Sequence, residues 1–187
     1  MHTLRLSNDL SIALWNPVLK ANRFISPVIQ FSSNYQMRGI VGMSLVRVLV
    51  VDDVDSWRIF VSSMLQAEPS LEIVCELSDG LEAVQAAATL QPTVVLLDIG
   101  LPGLNGLEAG GWIRRVAPSA KIIFVSLERD PDIVGAALRL GAWGYVLKSD
   151  AGRELVTAIH RVVRGEKFLS CSLAGYRSRV ERKADSL

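Results

Sequence analysis

Hydrophobic positions between residues 44 and 166 follow two alternating patterns. Short runs of apolar, largely β-branched residues recur along this segment, as is typical of strands buried on both faces of a sheet. Between these runs, apolar residues repeat every three or four positions, as in amphipathic helices. We predict strands at 47–51, 71–77, 94–97, 121–125 and 145–147. We predict helices at 56–66, 80–90, 105–116, 131–140 and 152–164.

The regular alternation of strands and helices predicts an α/β fold. Parallel strands joined by right-handed crossovers place their helices on both faces of the sheet. We therefore predict a doubly wound, five-stranded parallel sheet. Because ligands in such folds bind beyond the carboxyl ends of the strands, the residues that directly follow each strand are the first candidates for a functional site.

Charge divides the chain into three parts. Residues 1–43 contain four Lys/Arg and one Asp, residues 44–150 contain eight Lys/Arg and fourteen Asp/Glu, and residues 151–187 contain eight Lys/Arg and four Asp/Glu. We predict one domain at 44–166, an extension at 1–43 and a basic tail at 167–187. The extension lacks helix or strand periodicity, and Met43 directly precedes the periodic segment. We expect the extension to be disordered or to reflect an upstream start-codon assignment.

Composition excludes several classes of function. Two cysteines and two histidines provide no disulfide framework, zinc site or Ser–His–Asp triad. No apolar run approaches the ~18 residues that a membrane span needs, and the N-terminus lacks a secretory pattern. The net charge of +1 gives the whole chain no basic field for nucleic acid. We expect a cytoplasmic protein whose chemistry uses carboxylates, hydroxyls and lysine.

Charged and hydroxyl side chains follow four of the predicted strands. Asp52 and Asp53 follow the first strand, Asp98 the third, Ser126 the fourth and Lys148 the fifth. Parallel strands end at the same sheet edge, so these side chains should converge. Crowded carboxylates repel one another unless a cation compensates, and oxygen ligands suit Mg²⁺. The sequence therefore predicts a magnesium site.

The same groups suit phosphoryl transfer. Asp98 can act as a nucleophile on phosphorus, Lys148 can neutralise the phosphoryl oxygens, and Ser126 can donate a hydrogen bond to one of them. Taken singly, an Asp or a Lys after a strand is more often a cap, a turn residue or a solvated side chain. Their convergence at one sheet edge favours a site. We interpret Asp55 and Asp79, by contrast, as helix N-caps.

Four segments of the central block resemble the receiver domain of bacterial two-component response regulators. They are V-L-V-V-D-D (48–53), V-V-L-L-D-I-G-L-P-G-L-N-G (94–106), K-I-I-F-V-S (121–126) and G-A-W-G-Y-V-L-K (141–148). The resemblance implies a flavodoxin-like, CheY-like fold with strand order 2-1-3-4-5. The following segment, 154–170, resembles the NarL/LuxR-type subclass, whose receivers usually precede a helix-turn-helix output domain.

The resemblance implies a role for each residue at the predicted site. Asp98 matches the phospho-acceptor, and Lys148 matches the lysine that contacts the phosphoryl group. Asp53 matches the direct Mg²⁺ ligand, with Asp52 and Asp98 contributing. The backbone carbonyl of Gly100 matches the third protein ligand.

The resemblance also implies a switch and a set of partners. Ser126 matches the switch hydroxyl and Tyr145 the switch aromatic, which moves inward when Asp98 is phosphorylated. A sensor histidine kinase or a phosphotransfer protein would supply the phosphoryl group, and the receiver would catalyse only its own phosphorylation and dephosphorylation. We also expect homodimerisation through helices 131–140 and 152–164, and an unidentified downstream protein target.

Residues 171–187 are too few for a helix-turn-helix domain, so we expect a single-domain or truncated NarL-type receiver. Their basic run R-S-R-V-E-R-K is typical of a solvated tail, and we do not expect direct DNA binding.

One alternative is a degenerate receiver that docks on partners without phosphorylation. The other is an aspartyl-phosphate phosphohydrolase of the haloacid-dehalogenase type. That class has D-x-D-x-T after its first strand, whereas Trp57 stands where the Thr belongs.

Overall fold

The computed structural model describes residues 45–175. The predicted extension at 1–43 and the last part of the predicted tail, 176–187, lie outside the described residues. The strands are β1 (Val46–Val51), β2 (Leu71–Leu77), β3 (Val94–Leu97), β4 (Lys121–Ser126), β5 (Gly144–Leu147) and β6 (Phe168–Leu169). The α-helices are α1 (Asp55–Gln66), α2 (Gly80–Leu90), α3 (Gly106–Val116), α4 (Pro131–Arg139) and α5 (Ala151–Val163). Each predicted element begins and ends within one residue of the observed one.

The strands form one parallel sheet in the order β2-β1-β3-β4-β5-β6. The predicted order 2-1-3-4-5 is confirmed, as is the CheY-like arrangement of strands and helices. The sheet differs from the prediction in having a sixth strand. This strand adds to the outer edge of β5, with Phe168 opposite Gly144 and Leu169 opposite Tyr145.

Two apolar clusters cover the two faces of the sheet. Successive residues of β1 alternate between them, with Leu49 in one cluster and Val50 in the other. The first cluster joins the sheet to α2, α3 and α4, and the second joins it to α1 and α5. Every residue of β3 is buried, so this central strand fixes the position of the residue that follows it, Asp98.

The loop between β3 and α3 is held close to the sheet edge. Gly106 begins α3, and its N–H donates to the carbonyl oxygen of Ile99 at 3.0 Å. A Cβ atom at position 106 would overlap the carbonyl oxygen of Asp98, so only glycine allows this close approach. The loop therefore turns back so that the start of α3 lies against the backbone of Asp98 and Ile99.

One of the two predicted helix caps is confirmed. The Asp79 carboxylate accepts hydrogen bonds from the N–H groups of Leu81 and Glu82 at the start of α2. The prediction for Asp55 is wrong, because Asp55 is the first residue of α1 and Val54 is its cap. The carbonyl oxygen of Val54 accepts the N–H groups of Trp57 and Arg58, which a cap at position 55 would need, and the Asp55 carboxylate pairs with Arg58 instead.

Packing continues past residue 166. The N–H of Ser170 donates to the carbonyl oxygen of Tyr145 at 2.9 Å, and the Ser170 hydroxyl accepts the N–H of Leu147 at 3.0 Å. Phe168 and Leu173 are buried in the two apolar clusters. Residues 168–173 are therefore part of the folded domain. Within the part of the chain that the structure describes, no helix is long and apolar enough to cross a membrane.

Candidate functional site

Three carboxylates meet at the carboxyl edge of the sheet. Asp52 and Asp53 follow β1, Asp98 follows the neighbouring strand β3, and one carboxylate oxygen from each lies within 4.8 Å of the others. Asp52 and Asp98 are buried, whereas Asp53 is exposed. The structure thus brings together the three carboxylates that the sequence predicts as metal ligands, with one of them open to solvent.

The ammonium group of Lys148 bridges the two buried carboxylates. Its Nζ atom lies 2.6 Å from Oδ2 of Asp52 and 3.1 Å from Oδ2 of Asp98. Lys148 follows β5, which is separated from β3 by β4, so the long side chain reaches across the sheet edge. Its side chain is only 9% exposed.

The charges of these four groups fit a divalent cation. Three carboxylates face one ammonium, so the site retains negative charge that a hard cation can neutralise. All the donor atoms of the three aspartates are carboxylate oxygens, the ligand type that Mg²⁺ prefers. Because Asp53 is exposed, a cation can reach the site from solvent. The residues present therefore fit Mg²⁺.

The electrostatics of Asp52 show how the fold compensates a buried charge. Burial raises the pKa of this carboxyl group, whereas the hydrogen bonds from Lys148 and from the N–H of Val54 act to lower its pKa. The neighbouring Asp98 raises the pKa of Asp52 further. Asp52 therefore carries an incompletely compensated cost of ionisation, which a cation beside it would reduce.

The backbone N–H of the next residue orients the Asp98 carboxylate. Its Oδ1 atom accepts the N–H of Ile99 at 2.8 Å, while Oδ2 faces Lys148. Gly100 lies beside the same carboxylate, since a Cβ atom at this position would stand 3.5 Å from Oδ2. Gly100 therefore lies next to the Asp98 carboxylate, and the role of its carbonyl group as a metal ligand stays a prediction.

Ser126 and Tyr145 share a contact with the loop that leads to α4. The hydroxyl of buried Ser126 accepts the N–H of Glu128 at 3.2 Å, and the hydroxyl of Tyr145 donates to the carbonyl oxygen of Glu128 at 3.0 Å. The Tyr145 ring is fully buried. Burial raises the pKa of Tyr145 to about 12, although a hydrogen bond with Ser126 acts to lower it. The phenol is therefore a neutral donor in an inward position.

For two residues near the site, the sequence did not indicate the contacts that they make with its charged groups. The Trp57 ring centroid lies 5.3 Å from Nζ of Lys148, and the Arg58 guanidinium donates to the backbone carbonyl of Asp52 at 2.6 Å. The apolar spacing of α1 identified Trp57 only as a packing residue. An open pocket of about 370 Å³ adjoins the site, and its lining residues are Val54, Ser56, Trp57, Leu127, Lys148 and Ser149.

Comparisons with known proteins agree with this geometry. The sequence profile described as "Response regulator receiver domain" matches residues 48–160. The chain is 36% identical over 131 residues to the transcriptional regulatory protein LiaR of Bacillus subtilis, an alignment that covers 70% of this chain and 62% of LiaR. It is 32% identical over 148 residues to the nitrate/nitrite response regulator protein NarL of Escherichia coli, covering 75% of this chain and 68% of NarL. The chain thus spans about two thirds of the length of these relatives.

A solved structure shows the same architecture. The two-component response regulator of the LuxR family from Aurantimonas superposes with a TM-score of 0.70 at 31% sequence identity. The superposition covers 74% of this chain and 99% of that one. The chain therefore belongs to the response regulator receiver domain family of two-component systems, and it is related to the NarL/LuxR-type regulators.

Proposed function

We propose that this receiver is a cytoplasmic protein that accepts a phosphoryl group on Asp98 from a sensor histidine kinase or a phosphotransfer protein. The observation that carries the proposal is the bridge that Lys148 makes between the buried carboxylates of Asp98 and Asp52, beside the exposed carboxylate of Asp53. A parallel sheet does not need such a group of charges in order to fold. The group provides a nucleophile, a cation for the transferred anion and oxygen ligands for a metal.

Mg²⁺ would be held by the carboxylates of Asp52, Asp53 and Asp98 and by the backbone carbonyl of Gly100. When bound, this ion supplies positive charge that stabilises the negative charge of the phosphoryl oxygens during transfer. The donor set supports the assignment, because it consists of oxygen atoms with excess negative charge.

Three residues of the site would then have separate roles in the transfer. An oxygen of the Asp98 carboxylate bonds to phosphorus while the phosphorus–nitrogen bond to the donor imidazole breaks, and the electron pair of that bond leaves with the imidazole. The ammonium of Lys148, already 3.1 Å from Asp98, neutralises a phosphoryl oxygen. The hydroxyl of Ser126 donates a hydrogen bond to another. The protein acts only on itself in this reaction and turns over no separate substrate.

The phosphorylated state would be transmitted through the loop that follows β4. Ser126 now accepts the N–H of Glu128, and Tyr145 donates to the carbonyl of the same residue. A phosphoryl group that draws on the Ser126 hydroxyl would therefore bias the position of this loop and the start of α4. The phosphoryl group can shift the population only by its different contacts in the two states. We propose that α4 and α5 present the resulting surface to a second copy or to a downstream protein.

Docking without phosphorylation is a second candidate function. Leu127 is 72% exposed, and Val54 and Phe60 are also exposed beside the site, so this edge of the domain offers apolar area to a partner. A kinase docking on the same edge needs such a surface as well. The bridged carboxylates are what favour phosphorylation over docking alone.

Intact-mass spectrometry tests the proposed function. The full chain is incubated with phosphoramidate and Mg²⁺, and we expect a mass gain of one phosphoryl group. Asp98→Asn should abolish the gain and Asp53→Asn should slow it strongly, whereas Asp55→Asn, which changes an exposed carboxylate two residues away, should leave it unchanged. A wild-type protein that gains no mass, or an Asp98→Asn protein that gains as much as wild type, would overturn the proposal.

A further inference from the structure

An aromatic face lies on one side of the Lys148 ammonium group. The Trp57 ring centroid is 5.3 Å from Nζ, inside the ~6 Å range at which an ammonium is attracted by an aromatic quadrupole. The same Nζ atom pairs with Asp52 and Asp98. Lys148 thus has two kinds of partner, two carboxylates and one ring.

The ring is important because the Lys148 side chain can adopt other conformations. Lys148 and Trp57 both line the open pocket of about 370 Å³ at the edge of the site. A lysine has a flexible four-carbon stem, and its ammonium is strongly hydrated. A lysine released from a carboxylate could therefore turn into this pocket and towards water. The face of Trp57 provides an attractive alternative to water on that side.

Trp57 is itself held in place. Its ring packs against Phe60 with centroids 5.2 Å apart and an angle of 43° between the planes. It is half-buried and packs against the apolar cluster that joins α1 and α5 to the sheet. The ring therefore offers Lys148 a fixed surface, so little conformational entropy is lost when the contact forms.

A bound cation would weaken the hold of the carboxylates on Lys148. Asp52 is the nearer of its two partners, at 2.6 Å, and Asp52 is also among the residues that would hold a divalent cation. Two cations on one carboxylate repel each other, so occupation of the metal site weakens the hold of Asp52 on Lys148. The contact with Trp57 is not subject to this competition.

We propose that Trp57 is a positioning residue that holds the Lys148 ammonium beside Asp98 for phosphoryl transfer. The contact between Trp57 and Lys148 is inferred from the geometry alone. Its expected effect on the rate of phosphorylation rests on the proposed function. Nothing else in the sequence requires an aromatic ring at position 57, since an aliphatic residue would satisfy the apolar spacing of α1.

Two variants separate the aromatic face from apolar volume. Trp57→Leu keeps an apolar side chain and removes the ring, and Trp57→Phe keeps a smaller ring. Trp112→Leu is the matched control, because Trp112 lies on α3 with Arg115 over its ring and away from the site. Thermal unfolding of each variant checks that the domain is folded.

The first measurement is made without metal or phosphoryl donor. The ring current of Trp57 should shift the NMR resonances of the Lys148 ε-methylene protons upfield. We expect that shift to disappear in Trp57→Leu, to persist in part in Trp57→Phe and to remain in Trp112→Leu. A Lys148 resonance that is unaltered in Trp57→Leu would overturn the inference.

The second measurement is the rate of phosphorylation by phosphoramidate with Mg²⁺. We expect the maximal rate constant to fall roughly three- to tenfold in Trp57→Leu, with a smaller change in the half-saturating donor concentration and partial rescue in Trp57→Phe. Equal rates in wild type and Trp57→Leu would contradict the positioning role. A wild-type protein that accepts no phosphoryl group overturns the proposed function instead, while the Lys148 resonance still decides whether Trp57 holds the ammonium.

Discussion

The hydroxyl group of Tyr145 donates a hydrogen bond of 3.0 Å to the backbone carbonyl oxygen of Glu128. This bond connects the middle of β5 to the loop after β4, two residues beyond Ser126. Because Tyr145 is fully buried, its phenol is held inward by packing as well as by the bond. The aromatic and hydroxyl residues predicted to form the switch thus meet at one backbone segment.

The first prediction concerns the pH dependence of Tyr145. Folding raises the pKa of this phenol to about 12, mainly through burial. An acid whose pKa is raised by folding stabilises the folded state fully below its unfolded pKa, which is about 10 for tyrosine. This contribution is lost as the pH rises from there towards 12.

Urea unfolding at pH 8 and pH 11 measures this effect. The free energy of unfolding should fall more between these pH values in wild type than in Tyr145→Phe, which lacks the ionisable group. At pH 8, Tyr145→Phe should cost about 1 kcal/mol for the lost hydrogen bond. An equal decrease in the two proteins between pH 8 and pH 11 would show that the phenol is not buried as described.

The second prediction concerns the effect of Mg²⁺ on stability. A ligand that binds only the folded state adds about 2.7 kcal/mol at one hundred times its dissociation constant. Mg²⁺ should therefore raise the thermal unfolding midpoint of wild type in a concentration-dependent manner. Asp53→Asn should remove most of this rise without lowering the metal-free midpoint, because Asp53 is exposed. Asp55→Asn should keep the full response, and a wild-type midpoint that does not respond to Mg²⁺ would refute the site.

The third prediction concerns the bridge made by Lys148. Replacing it with Met leaves the buried carboxylates of Asp52 and Asp98 without their cation, and breaking such a pair costs about 3–5 kcal/mol. The loss should be clearly smaller when Asp52 is already Asn, because one buried charge is then absent. Urea unfolding of the four proteins in this cycle gives the coupling energy.

A surface ion pair provides the control for that cycle. Arg164 pairs with Glu166 at 3.3 Å, and its side chain is 64% exposed. Arg164→Met should change the free energy of unfolding by less than about 1 kcal/mol. A Lys148→Met protein as stable as Arg164→Met, with no coupling to Asp52, would show that the bridge does not compensate the buried charges.

The fourth prediction concerns the segment that follows α5. Leu173 is fully buried, and a buried Leu→Ala substitution costs about 2–5 kcal/mol. Ser170→Ala should cost about 1–3 kcal/mol, because it leaves the buried N–H of Leu147 without an acceptor. Ser172→Ala, at an exposed position of the same turn, should be neutral. Thermal and urea unfolding measure all three, and neutrality of Leu173→Ala would show that residues 168–173 do not belong to the folded domain.

The main strands and the site were predictable from local patterns. Buried parallel strands are short continuous apolar runs that can be recognised in the sequence. Ligands of α/β folds bind at the carboxyl ends of such strands, so recognising the strands also locates the site. Asp98 could therefore be placed at the same edge of the sheet as Asp52 once β1 and β3 were recognised. The strand order came from resemblance to a family, because apolar runs do not indicate which strands are neighbours.

Other features depend on contacts that a local pattern does not contain. The strand β6 has two residues, too few for any periodicity, and it is defined by hydrogen bonds to Trp143 and Tyr145. Asp55 has the residue type of an N-cap, but α1 begins at Asp55, and the N–H groups of Trp57 and Arg58 donate to the carbonyl oxygen of Val54. Trp57 fits the apolar spacing of a helix, and only the packed structure shows Lys148 beside its ring.

The central claim is that carboxylates from β1 and β3 form a pocket in which Asp98 accepts a phosphoryl group. A crystal structure of the full chain grown with Mg²⁺ and beryllium fluoride tests this most directly, since the fluoride complex mimics a phosphoryl group on a carboxylate. We expect beryllium fluoride on Asp98, Mg²⁺ beside Asp53, and the Lys148 ammonium on a fluorine atom. A pocket without either ion, or one closed by a neighbouring side chain, would contradict the account.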